Sequence, residues 1–174
     1  HQPRRQRQMC IRDSNKNYEF MIFLIKAFVT VFGIGYIRIA PGTFGSLFAI
    51  LVWYISINYL NIYFFYIIII IVFICSFKAI NIYLRNENKD DPSEVVVDEF
   101  IGQSLPLIFL LQFNVYEVLL AFSSFRLFDI FKIYPVNKVE NIKGANGVIM
   151  DDVVAGIYSL IIIMIYKIIL FLNA

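Results

Sequence analysis

Two apolar runs, residues 43–60 and 62–80, stand back to back with only Asn61 between them. A hydrocarbon core of about 30 Å takes roughly 20 helical residues to cross. The second run contains YIIIIIVFICSF, residues 66–77, which carries no charge. In lipid every backbone N–H and C=O must be satisfied internally, so such runs become helices whatever their β-propensity. The rest of the chain agrees, being 60% hydrophobic with a mean hydropathy of +0.73. Only 16% of its residues are charged, against about 25% in an ordinary soluble domain. The expected class is all-α, an integral membrane helical bundle with about four to five hydrophobic spans.

Three further segments complete the set. Residues 100–113 are short and contain Gly102 and Pro106, which predicts a tilted, broken or re-entrant helix. Residues 115–131 and 153–172 read as spans, the latter with Lys167 able to snorkel to the nearer interface. Residues 20–34, interrupted by Lys26, read as an interfacial or partly buried helix. Residues 1–17 are polar and Arg-rich and read as a non-native or disordered basic tail, and 18–174 as a single membrane domain. Cys10 and Cys75 give neither a disulfide framework nor metal-ligand spacing, and the one histidine is His1. A net charge of +2 is too small to suggest nucleic acid, so the expected partner is the membrane.

Alternating the spans gathers Lys26, Arg38, Arg85, Lys89, Lys138 and Lys143 on one side, while the opposite connections, 58–61 and 114–117, have no Lys or Arg. By the positive-inside rule the basic side is cytoplasmic. The same alternation brings Thr43, Ser46, Asp98, Glu99, Asp129, Lys132, Asp151 and Asp152 to that face. Carboxylates crowded at neighbouring helix ends repel one another and resist desolvation, unless a cation neutralises them. An oxygen-only set, without His or Cys, suits Mg²⁺ first, then Ca²⁺ or Mn²⁺. The plainer account of any one acid is a favourable meeting with a helix dipole.

Arg126, Asp129 and Lys132 recur every third residue, on nearly one helix face, a stripe able to touch both a metal and a phosphate. APGTFGSL, residues 40–47, places Thr43 and Ser46 at a helix start, where hydroxyls and free N–H groups can take phosphate oxygens. The structural alternatives are a salt-bridged stripe and an ordinary capped helix.

APGTFGSL, DPSEVVVDEFIGQ, FRLFDIFKIYPV and GANGVIMDDVVAGIY, in this order, resemble the phosphatidylglycerophosphatase A family of lipid phosphatases, from Gly35 onward. The resemblance implies a bacterial inner-membrane enzyme that removes the terminal phosphate of phosphatidylglycerophosphate with Mg²⁺, giving phosphatidylglycerol. Carried onto this chain, it makes Asp98, Glu99, Asp129, Asp151 and Asp152 the metal and catalytic acids, and Arg126 and Lys132 catalytic and phosphate-binding groups beside Thr43 and Ser46. Ile133 and Tyr134 depart from the family's usual Pro-Trp pair before Pro135, without touching a candidate ligand.

Other phosphatase designs lack their residues here. A phosphocysteine enzyme needs Arg six positions after its Cys, where Cys75 is followed by Asn81, and there is no body histidine or Asp-x-Asp-x-Thr loop. Metal-assisted phosphoryl transfer remains, with water or a carboxylate as attacking group. Two rival classes are an ion-coupled transporter or divalent-cation channel, and a scaffold without activity. The gathering of most intramembrane acids at one face counts against the first.

Overall fold

The computed structural model describes residues 18–87, 92–132 and 144–173, and these are helical without any strand. The basic tail 1–17, Lys89, Lys138, Lys143 and the 133–135 departure lie outside the described residues. Helix α1 covers residues 18–29, α2 Pro41–Tyr59, α3 Ile62–Glu87, α4 Val97–Leu107, α5 Val115–Phe131 and α6 Ala145–Asn173.

Three of them, α2, α3 and α6, are long and apolar enough to cross a membrane. α5 has 17 residues and carries Glu117, Arg126 and Asp129. At 1.5 Å per residue the 11 residues of α4 reach only about 16 Å, half the hydrocarbon thickness. The five apolar segments of the sequence therefore resolve into three full spans, a polar fourth and a short central helix. Beyond the apolar run 62–80, residues 81–87 extend α3 by nearly two turns.

α4 is the axis of the bundle, with nine of its residues buried, and it packs chiefly on α6 and α2. Its end is instructive. Pro106 has no N–H to give the Gly102 carbonyl, and the Gly156 backbone presses directly on that carbonyl, leaving no room there for a Cβ. The chain then turns irregularly at 108–114, and backbone at such depth must find partners. Trp53 Nε1 donates to the Leu110 carbonyl at 2.9 Å, and the Tyr66 hydroxyl to the Ile108 carbonyl at 3.0 Å. Asn114 restarts the helix by accepting from the Tyr116 N–H at 3.0 Å.

Small and hydroxyl residues knit the crossings, as expected where lipid removes the hydrophobic drive between helices. Ser124 and Ser159 join α5 to α6 at 2.6 Å, and Ser159 also donates to the Ala121 carbonyl at 3.0 Å. Lys167 pairs with the buried Glu117 at 3.1 Å, clamping those helices at their far end.

Candidate active site

The near end of the bundle holds a cavity of about 290 Å³. Its walls come from the start of α2 (Ala40, Pro41, Gly42), the approach to α4 (Pro92, Ser93, Val95), the first turn of α4 (Asp98, Glu99), the end of α5 (Arg126, Asp129, Lys132) and α6 (Asp151, Asp152). The seven charged residues singled out in the sequence thus meet in one place. Asp98 and Glu99 belong to the first turn of α4, where the helix dipole favours acids. Asp151 and Asp152 sit two turns inside α6, beyond that effect, so the dipole does not account for the pair.

Asp98, Glu99 and Asp152 each offer a carboxylate oxygen, and these oxygens lie within 4.8 Å of one another. Asp98 and Asp152 are buried. Asp98 Oδ1 accepts from the Glu99 N–H at 3.1 Å, and beside the trio Asp151 Oδ1 accepts from the Asp152 N–H at 3.0 Å. Burial pushes the Asp98 carboxyl well above the usual carboxylate range, and neighbouring Glu99 adds to the shift. Glu99 is raised too, chiefly by burial, against a lowering hydrogen bond with Asp98 and the attraction of Arg126. Glu99 Oε2 is buried with no hydrogen-bond partner among the described residues. A hard cation placed among these oxygens supplies the missing compensation, and the all-oxygen set fits one.

The cations are held by the acids outside this trio. Arg126 Nη1 lies 2.6 Å from Asp129 Oδ2, an ion pair without hydrogen-bond geometry, and its Nε has no hydrogen-bond partner among the described residues. Lys132, in the left-handed conformation that ends α5, puts Nζ 3.3 Å from Asp151 Oδ2. Five carboxylates against two cations leave the cavity with a formal surplus of negative charge.

Thr43 and Ser46 stand apart. Neither lines the cavity; Thr43 is half-buried one residue beyond Gly42, and the buried Ser46 hydroxyl donates to the Gly42 carbonyl at 2.9 Å. Gly42 belongs to the APGTFGSL stretch, whose glycines permit close approach. A Cβ there would collide with Glu99 Oε1 and come 3.2 Å from Arg126 Nη1, so this glycine makes room for the charged pair. Gln103, one turn beyond Glu99, is fully buried with both amide atoms unpartnered among the described residues. A lone amide inside the run 100–111 was the available signal.

A membrane bundle whose one end opens into an acid-walled cavity, with an oxygen-donor cation site and basic groups beside it, has the make-up of a membrane-embedded phosphoryl-transfer enzyme. The comparisons make this specific. The phosphatidylglycerophosphatase A family model matches residues 27–167. The chain is 32% identical to phosphatidylglycerophosphatase A of Haemophilus influenzae, over 76% of this chain and 82% of that one. With phosphatidylglycerophosphatase A of Escherichia coli K12 it shares 36% identity over 74% of each chain. With a Bacteroides thetaiotaomicron protein provisionally named a phosphatidylinositol-3-phosphatase it shares 37% over 79% of this chain and 90% of that one. No solved structure matches it. The chain belongs to the phosphatidylglycerophosphatase A family and is a phosphatase.

Proposed function

We propose that this chain is a Mg²⁺-dependent phosphatase that cleaves the terminal phosphomonoester of phosphatidylglycerophosphate, giving phosphatidylglycerol and phosphate. The observation that carries the reading is the convergence of Asp98, Glu99 and Asp152 oxygens within 4.8 Å in a cavity that also holds Arg126 and Lys132. A surplus of negative charge repels a phosphate dianion, so the cavity needs a cation to receive one.

Asp98, Glu99 and Asp152 would hold the ion, with Asp129 and Asp151 close by. When bound, Mg²⁺ supplies Lewis acidity toward the phosphoryl oxygens. Arg126 and Lys132, both on the cavity wall, would meet the same oxygens, Arg126 as a donor fork and Lys132 as a point charge. Asp129 and Asp151 keep these two side chains at the cavity wall.

The cavity end also carries Lys26, Arg38 and Arg85, which supports a bacterial inner-membrane enzyme with its site facing the cytoplasm. The name of the Bacteroides relative makes phosphatidylinositol 3-phosphate the rival substrate. Phosphate release by purified protein in detergent, with each lipid and with Mg²⁺ or a chelator, decides the matter. Release from phosphatidylglycerophosphate alone, lost with chelator, is expected; preference for the inositol lipid would replace the substrate, and no release from either would favour a transporter or scaffold.

A further inference from the structure

We propose that Arg38 is the diester-binding residue of this site, holding the internal phosphodiester of the lipid while the cavity handles the terminal monoester. The inference rests on the phosphatase reading above and deepens it, since such a substrate carries two anionic centres joined by a short glycerol linker. The cavity's own cations are placed for the monoester, Arg126 beside Asp129 and Lys132 beside Asp151. The cavity's surplus negative charge would also repel a second phosphate, which therefore needs a cation at the rim.

Arg38 is that cation. It is exposed and, among the described residues, makes no ion pair. It stands two residues before Ala40, which with Pro41 and Gly42 forms the cavity wall, within about 7 Å along the chain. Its surroundings mark the level of a lipid headgroup: Phe32 is 83% exposed, Tyr36 59% and Ile39 79%. A segment with apolar side chains outward and a guanidinium among them matches the boundary between hydrocarbon and water. The diester of a bilayer lipid lies at that boundary, and the guanidinium fork fits its two free oxygens.

The segment is also held firmly. Gly35 packs so tightly on the Glu94 carbonyl that no side chain would fit, the Val96 N–H donates to the Val29 carbonyl at 3.0 Å, and Thr30 Oγ1 accepts from the Gly33 N–H at 3.1 Å. Val31, Phe32 and Ala40 all adopt positive φ, a conformation that non-glycine residues keep only when their surroundings impose it. Arg38 is thus carried on a fixed rim and not on a floppy connection.

The test uses full-length protein in neutral-detergent micelles at fixed lipid surface fraction. Phosphatidylglycerol, which keeps the diester and lacks the monoester, serves as competitive inhibitor and as ligand in direct binding. Arg38→Ala should raise KM for phosphatidylglycerophosphate and Ki for phosphatidylglycerol by the same factor, about tenfold, with little change in kcat. Arg38→Lys should recover part of the loss, because charge remains and the fork does not. Unchanged KM and Ki, a fall in kcat alone, or a higher KM with an unmoved Ki would overturn the proposal. Equal weakening toward a micelle bearing only fatty-acid carboxylates would reduce Arg38 to general charge attraction and overturn it as well. If wild-type protein releases no phosphate, the phosphatase reading falls; weaker phosphatidylglycerol binding by Arg38→Ala would still support the diester site, and equal binding would end it.

Discussion

Asp98 of α4 and Asp152 of α6, both buried and carried by different helices, bring carboxylate oxygens within 4.8 Å of each other. Two desolvated like charges at this separation oppose folding unless a cation or a proton intervenes. The bundle nonetheless builds the pair into its most extensive helix contact, α4 on α6.

That relationship predicts opposite effects on stability and activity. Asp98→Asn and Asp152→Asn should each lower phosphate release about a hundredfold or more, yet raise the melting temperature in chelator, because neither repulsion nor a forced protonation then opposes folding. Calorimetry with and without Mg²⁺, beside a phosphate assay, reads both. Variants that are less stable in chelator and still active would make the acids structural.

Arg126 and Lys132 should not be interchangeable. Arg126→Lys removes a fork and should cost more turnover than Lys132→Arg, with Arg126→Ala losing about 3 kcal/mol, roughly a hundredfold in rate. Initial-rate kinetics on the lipid separate the cases: wild-type rates in Arg126→Ala would leave this arginine as the ion-pair partner of Asp129 only.

Cation binding should depend on pH with a definite sign. Burial holds Asp98 and Glu99 above the ordinary carboxylate range, so the metal-free site keeps protons at pH values where exposed acids have lost them. An entering cation must expel those protons, and raising the pH removes the competition. The half-saturating Mg²⁺ concentration should therefore fall as pH rises, with proton uptake or release followed by an indicator dye during Mg²⁺ titration. A titration that releases no protons would mean that the acids are already ionised.

Two glycines should fail in different ways. A methyl at Gly42 collides with Glu99 at the cavity, so Gly42→Ala should depress activity while folded protein still accumulates. At Gly156 the collision is with the Gly102 carbonyl and the Leu105 side chain in the helix crossing, so Gly156→Val should cost about 1–3 kcal/mol of stability. Thermal unfolding beside specific activity distinguishes the two; a Gly42→Ala enzyme with normal rates would show that Glu99 has slack.

Much of this protein is legible one residue at a time. Uncharged runs such as 66–77 admit only helices in lipid, because no other local structure satisfies its own backbone there. The alternation of spans likewise brings the acids to one face, since each helix end inherits its side from the one before it. The three-residue spacing of Arg126, Asp129 and Lys132 marks a shared helix face without any fold. Tertiary structure decided what periodicity does not encode. Only packing shows that Asp98, Glu99 and Asp152 approach one another, that Lys132 pairs with Asp151 and not with its own helix, and that Lys167 meets Glu117. Only packing turns residues 100–113 into a short helix followed by backbone that Trp53 and Tyr66 satisfy. Distances between side chains on different helices depend on crossing angle and register, which are set by the small residues between them, Gly42, Gly102 and Gly156. Those close approaches are properties of helix pairs, and no single stretch of the sequence contains them.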